Sequence, residues 1–105
     1  MMKNEEDKAL AMLGFSRKAN QVVAGESNVK NSLFKKNELN LIIIATDLSF
    51  GRQKYWKNLA FYFNIPYKVA FSKVKIGTAI GMSPRGIIGI KNKEMAKKIE
   101  VILQI

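Results

Sequence analysis

Leu41-Ile42-Ile43-Ile44 limits the fold of this chain more than any other segment. Within the stretch Leu39 to Ala45, four large aliphatic residues follow one another with nothing polar between them. Successive side chains of a strand point to opposite faces. A strand of this composition therefore suits the middle of a sheet that is covered on both sides.

The rest of the chain supplies the cover. Lys8 to Phe15 carries Ala9, Leu10, Met12 and Leu13 at helical spacing, with Gly14 and Asn20 bracketing its end. Gln21 to Ala24 reads as a short strand, and Gly25 to Lys36 as a helix with Val29, Leu33 and Phe34 inward. Asp47 and Ser49 offer N-cap oxygens for a helix from Gly51 to Phe63. Tyr67 to Phe71 is a strand opened by Pro66, Lys75 to Ile80 a short helix, and Gly86 to Ile90 a strand. The last helix, Lys93 to Leu103, is expected to bury Met95, Ile99 and Ile102. Helices alternating with strands in this way predict a three-layer α/β/α sandwich around a mixed or largely parallel sheet.

Length and composition bound the function. The chain has 105 residues, enough for one domain, with residues 1–7 expected as a mobile N-terminus. At 48% hydrophobic residues it should fold despite its charge. It contains neither cysteine nor histidine, which excludes disulfides, thiol nucleophiles, Cys-based zinc sites and imidazole acid–base chemistry. No cofactor, metal or catalytic residue is expected. The opening residues lack the apolar core of a signal peptide and no apolar run is long enough for a bilayer, so a cytoplasmic protein without a membrane partner is expected. The acids, Asp47 included, look like helix-surface and capping residues rather than an acid–base pair. Gly77-Thr78-Ala79-Ile80-Gly81 spaces its glycines like a phosphate loop but lacks the Gly-Lys-Ser/Thr ending.

Charge points elsewhere. Eighteen Lys and Arg against eight Asp and Glu give a formal net charge of +10, and nucleic acid is the obvious polyanion. The step from Gln21-Val22-Val23-Ala24 into Gly25-Glu26-Ser27-Asn28-Val29-Lys30 would present free helix-start N–H groups to an anion. Lys91, Lys93, Lys97 and Lys98 read as an ordinary solvated face, whereas Arg17, Lys18, Lys30, Lys73 and Arg85 fall at element ends, several of them expected at one end of the sheet. Tyr55, Trp56, Phe61, Tyr62 and Phe63 read mainly as core, and core is also the better reading of Phe50 and Phe71, although either could stack on an unpaired base.

Several ordered pieces resemble one family. Leu13-Gly14-Phe15-Ser16-Arg17-Lys18-Ala19 through Val22-Val23-Ala24-Gly25-Glu26 is similar to the opening of the kink-turn RNA-binding ribosomal-protein superfamily, the L-seven-Ae/L-thirty-e group, with the small bacterial YlxQ-type branch nearest. Leu41 to Asp47 resembles its strand followed by Ala-x-Asp, Asn64-Ile65-Pro66-Tyr67 its aliphatic-Pro turn, and Ile76-Gly77-Thr78-Ala79-Ile80-Gly81 its Leu-Gly-x-Ala-aliphatic-Gly signature. The resemblance implies an L-thirty-e-like sandwich with a four-stranded mixed sheet that binds structured RNA without cofactor or catalysis. By position it implies one RNA-binding element at Gly25, Glu26, Ser27, Asn28 and Lys30, with Arg17 and Lys18 close by. The second would be Met82, Ser83, Pro84 and Arg85, packed on an extruded nucleotide, with Ser72 and Lys73 nearby.

This chain departs from the strongest kink-turn binders. Gly25-Glu26-Ser27-Asn28 stands where they have Gly-x-Asn-Glu, and Asn31 replaces the customary lysine. Losing one bidentate base contact costs about 1–3 kcal/mol, enough to change the preferred site. RNA, ribosomal or otherwise structured, is the expected partner, with the ribosome as a place of action and a monomer as the oligomeric state. A protein-interaction module docking on a ribosomal or RNA-processing complex, without base-specific recognition, is the alternative. The substrate-recognition part of an RNA-modifying enzyme would need a partner chain for catalysis.

Overall fold

The computed structural model describes residues 4–36 and 38–104. Among them, helices and strands alternate as α1 (Glu5–Lys18), β1 (Val22–Ala24), α2 (Glu26–Lys35), β2 (Leu41–Ile44), α3 (Phe50–Tyr62), β3 (Tyr67–Val69), α4 (Lys73–Ala79), β4 (Ile87–Ile90) and α5 (Lys93–Ile102). The strands form a four-stranded sheet in the order β1-β4-β2-β3. β2 and β3 run parallel, while β4 is antiparallel to both β1 and β2, so the sheet is mixed.

The apolar run works as its composition demands. Leu41 and Ile43 of β2 pack with Ile88 and Ile90 of β4 against Ala9 and Leu13 of α1, Ile76 of α4 and Ile99 of α5. Ile42 and Ile44 point the other way, with Ile87, onto Val29 and Leu33 of α2 and Trp56 and Ala60 of α3. Three helices cover one face and two the other, which is the α/β/α sandwich expected. All four β2 residues and all four β4 residues are buried.

Several local expectations are corrected. α1 is longer than Lys8 to Phe15: it begins at Glu5, passes through Gly14 and ends at Lys18, inside the bracket of Gly14 and Asn20. One glycine costs a helix about 1 kcal/mol, too little to end one that buries Ala9, Leu13 and Ser16 along a single face. The expected mobile segment 1–7 is helical from Glu5, with the Asn4 side chain accepting the Asp7 N–H at 2.8 Å; residues 1–3 lie outside the described residues. Phe34 is not inward but 62% exposed, and Phe50, Phe61 and Tyr62 are more exposed still. In a three-layer sandwich each outer helix has a single covered face. In α3 that face is taken by Trp56 and Ala60. Phe71 is core, as expected, while Met95 and Ile102 are half-buried, with Ala96 joining Ile99 in the interior.

Candidate functional site

Strand register brings several sequence-distant segments to one end of the sheet. Ala24 pairs with Ile88, Ile44 with Ile87, and Ile44 with Val69. The exits of β1, β2 and β3 therefore share an end with the entry to β4. Bonds between the loops continue the sheet: Gly25 N–H donates to the Ile87 carbonyl (2.9 Å), Ala45 N–H to Gly86 (2.8 Å) and Thr46 N–H to Phe71 (2.8 Å). The starts of α2, α3 and α4 and the Met82–Arg85 loop converge there.

The start of α2 differs from the other helix starts. Asn4, Ser49, Ser72 and Asn92 each accept a hydrogen bond from the backbone of the helix they open, whereas α2 opens on Gly25 with no side-chain cap. The first turn closes with Val29 N–H on the Gly25 carbonyl at 2.9 Å, so the N–H groups of Glu26, Ser27 and Asn28 precede the ladder. Ser27 and Asn28 are exposed. Asn28 Nδ2 donates back to the Ala24 carbonyl at 2.9 Å, which leaves Oδ1 as the amide's acceptor for an outside group.

Gly25 has φ 96° and ψ 150°, a conformation that side chains with a Cβ scarcely adopt. Gly25→Ala is therefore expected to lower stability by about 1–3 kcal/mol through backbone strain alone, because its Cβ would meet no atom within 4 Å. Urea unfolding of the two proteins checks this.

Glu26 is already engaged. Its Oε1 accepts from Trp56 Nε1 at 3.0 Å and forms an ion pair with Arg52. Trp56 is fully buried, so its indole N–H must find its partner within the protein. Glu26 thus pins the start of α2 to α3 rather than standing open. Arg52 and Lys30 both lie 5.0 Å from the centre of the Tyr55 ring, a cation–π arrangement joining the two helices.

The second loop is built from backbone. A Cβ on Gly77 would meet the Ser83 carbonyl oxygen at 2.4 Å and its carbon at 2.7 Å, so the loop lies directly on α4. Arg85 N–H donates to the Lys73 carbonyl (3.1 Å), and its guanidinium Nη1 turns back onto Ser83 Oγ (2.6 Å) and the carbonyls of Ser83 and Pro84. Ser72 Oγ caps α4 by accepting from Lys75 N–H. Asp47, expected to cap α3, instead accepts from the Lys73 N–H at 3.0 Å, and Ser49 alone caps α3. The reason is positional: β2 and β3 are parallel neighbours, so the loop leaving β2 meets the helix that follows β3. Phe71, a buried aromatic at φ 68°, is held there by two bonds from Thr46 to its carbonyl. Along α4, the Glu6 carboxylate 2.8 Å from the Lys75 ammonium raises that amine above its usual value and ties α1 to α4.

Not every expected residue joins this end. Gly25, Glu26, Ser27, Asn28, Lys30, Ser72, Lys73 and the segment Met82, Ser83, Pro84 and Arg85 are brought together by the sheet. Arg17 and Lys18 are not: they close α1, and β1 must still run from Val22 to Ala24 before Gly25 is reached. They sit at the opposite end of the sheet, a correction that follows from α1 and β1 being joined at that end. Conversely, Tyr55 is not the core residue expected but is 37% exposed, and with Arg52, which the sequence reading does not single out, it stands beside Lys30 of α2. Their signal was available, since α3 contains Arg52, Lys54 and Lys57 and no acid.

With this geometry in hand, the comparisons with known proteins are specific. A model of the "Ribosomal protein L7Ae/L30e/S12e/Gadd45 family" matches residues 7–100. The chain is 26% identical over 92 residues to the RNA-binding protein YlxQ of Bacillus subtilis, covering 88% of this chain and 91% of that one. A solved structure of a protein of unknown function from Bacillus halodurans superposes with a TM-score of 0.84 at 27% identity, covering 90% of this chain and 95% of that one. The Giardia lamblia 15.5kD RNA binding protein shares the fold, with a TM-score of 0.70 at 18% identity over 98% of this chain and 94% of that one. The match runs through α1, the Gly25 step, the central strand and the Gly77 helix alike, and the chain belongs to the L7Ae/L30e/S12e/Gadd45 family of ribosomal-type proteins.

Proposed function

We propose that this chain is a non-catalytic, monomeric, cytoplasmic RNA-binding protein that receives a structured RNA of the kink-turn type at the Gly25 end of its sheet. The observation that carries the reading is the uncapped start of α2 lying beside the backbone-built Met82–Arg85 loop, in a chain of net charge +10. The N–H groups of Ser27 and Asn28 would bind acceptors on the RNA, and Asn28 Oδ1 would accept from a base edge. Lys30, Arg52 and Lys73 would supply phosphate contacts, while Met82, 36% exposed, would pack on an extruded base. Family membership and the YlxQ relative support RNA as the ligand. Ser27 and Asn28 in place of Asn-Glu argue for altered base preference rather than for loss of binding.

The test is titration with a fluorescent kink-turn RNA at two salt concentrations, against a duplex of equal length and a kink-turn with disrupted G·A pairs. The expected result is preference for the intact kink-turn, lost in Gly25→Glu, with log K falling by about 0.7 to 0.9 per phosphate contact for each unit of log salt. Lys30→Ala with Lys73→Ala should weaken binding far more than Arg17→Ala with Lys18→Ala. Equal binding to all three RNAs would reduce the reading to a basic RNA-affine surface, and failure to bind any would favour docking on a protein partner.

A further inference from the structure

The face formed by α2 and α3 carries exposed rings that the interior does not use. Phe34 and Tyr62 are 62% and 77% exposed, and both pack edge-on against Phe63, at 4.9 Å and 5.0 Å between ring centres. Fully formed aromatic clusters facing water are unusual on a chain that must stay soluble, and a patch of this kind marks an interaction surface. Its surroundings decide the partner. Lys30 lies one turn before Phe34 on the same side of α2, and Arg52 stands beside it over Tyr55. Lys35 follows directly, and the two helices hold a single carboxylate, Glu26, which is occupied by Trp56 and Arg52. A protein partner matched to exposed rings alone would tolerate acids at the edge. A partner that combines flat π faces with a regular negative charge is a single-stranded nucleic acid.

The stripe is continuous with the Gly25 end. Pairing of Glu26 with Arg52 and Trp56, of Lys30 with Tyr55, and of Phe34 with Phe63 sets α2 and α3 side by side in the same direction. From Gly25 to Phe34 the helix rises about 14 Å, passing the two cations before reaching the rings.

We infer that the α2/α3 face is a second RNA-contact surface, on which an unpaired strand leaving the Gly25 site continues past Arg52 and Lys30 and stacks bases on Phe34 and Tyr62. The inference rests on the RNA-binding reading above. The test uses the full chain and the doubly substituted Phe34→Ala/Tyr62→Ala protein, whose lost rings are exposed and whose fold is checked by circular dichroism. Each is titrated with a blunt kink-turn RNA and with the same RNA carrying a short unpaired adenosine overhang, on the 5′ strand in one series and the 3′ strand in the other. One overhang is expected to tighten wild-type binding roughly tenfold, with no gain in the double variant and equal binding of both proteins to blunt RNA. Tight blunt binding that neither overhang improves would overturn this inference and leave the primary reading standing. An overhang gain that survives in the double variant would overturn it too. Absence of binding to every RNA would sink the primary reading and this extension with it.

Discussion

Gly77→Ala is expected to lower stability by about 1–3 kcal/mol and to weaken RNA binding more than any exposed charge change outside the Gly25 end. The added methyl would stand 2.4 Å from the Ser83 carbonyl oxygen and 2.9 Å from that of Met82. Both obstacles are backbone, so no side-chain rotation relieves them. Gly77 lies inside α4 and is buried, and the helix cannot tilt away because Ile76 beside it is locked into the core. The loop must therefore move, and with it Met82 and Arg85. Urea unfolding reads the first effect, and titration with kink-turn RNA reads the second. A variant of unchanged stability and affinity would show that the Met82–Arg85 loop does not depend on this contact.

Trp56→Ala is expected to cost more, about 3–5 kcal/mol, the range for emptying a large aromatic site. Trp56 is the largest fully buried side chain and the centre of the α2/α3 layer, packed among Val29, Leu33, Ile42 and Ile44. Trp56→Phe separates its two roles. It keeps much of the volume but deletes the 3.0 Å bond to Glu26, and is expected to cost about 1–3 kcal/mol. Because Glu26 is the first residue of α2, its release should also loosen Ser27 and Asn28 and lower RNA affinity. Chemical unfolding followed by circular dichroism gives the stability change for both variants. If Trp56→Phe matched the wild type in both measurements, Glu26 would be held by Arg52 alone.

Some of this was legible in the residues. Leu41-Ile42-Ile43-Ile44 can be covered only from both sides, and alternation along the strand is enough to say so. Element order followed from the same periodicity, since helix and strand repeats differ and short polar connections separate them. The Gly25 step was legible as a glycine-led helix start, while the absence of a side-chain cap there is seen only in the structure. The Gly77 signature was visible too, although its glycine spacing suggests a phosphate loop as readily as a helix that lets a loop approach. What it does there depends on Ser83, six residues on, which no local pattern names.

Aromatic placement was legible only in part: Trp56 and Phe71 are core as the sequence suggests, whereas the other rings divide in a way it does not show. Phe34, Phe50, Phe61 and Tyr62 are apolar enough for a core, but a helix on the outside of a sheet has room inside for only part of its circumference. Trp56 and Ala60 filled that room on α3. Asp47 is legible as a cap but not as the cap of α4, because the helix it serves comes after the next strand.

By itself, the order of residues determined the strands, the helices, the sandwich and the glycine where α2 begins, because each depends on periodicity and backbone preference within a few neighbours. Only the tertiary structure decided which ends meet. It brought Gly25, Asp47, Ser72 and Arg85 to one edge through strand register, sent Arg17 and Lys18 to the other, and turned Glu26 inward onto Trp56. Those outcomes depend on pairings between residues far apart in the chain, and charge or hydropathy along the chain carries no record of them.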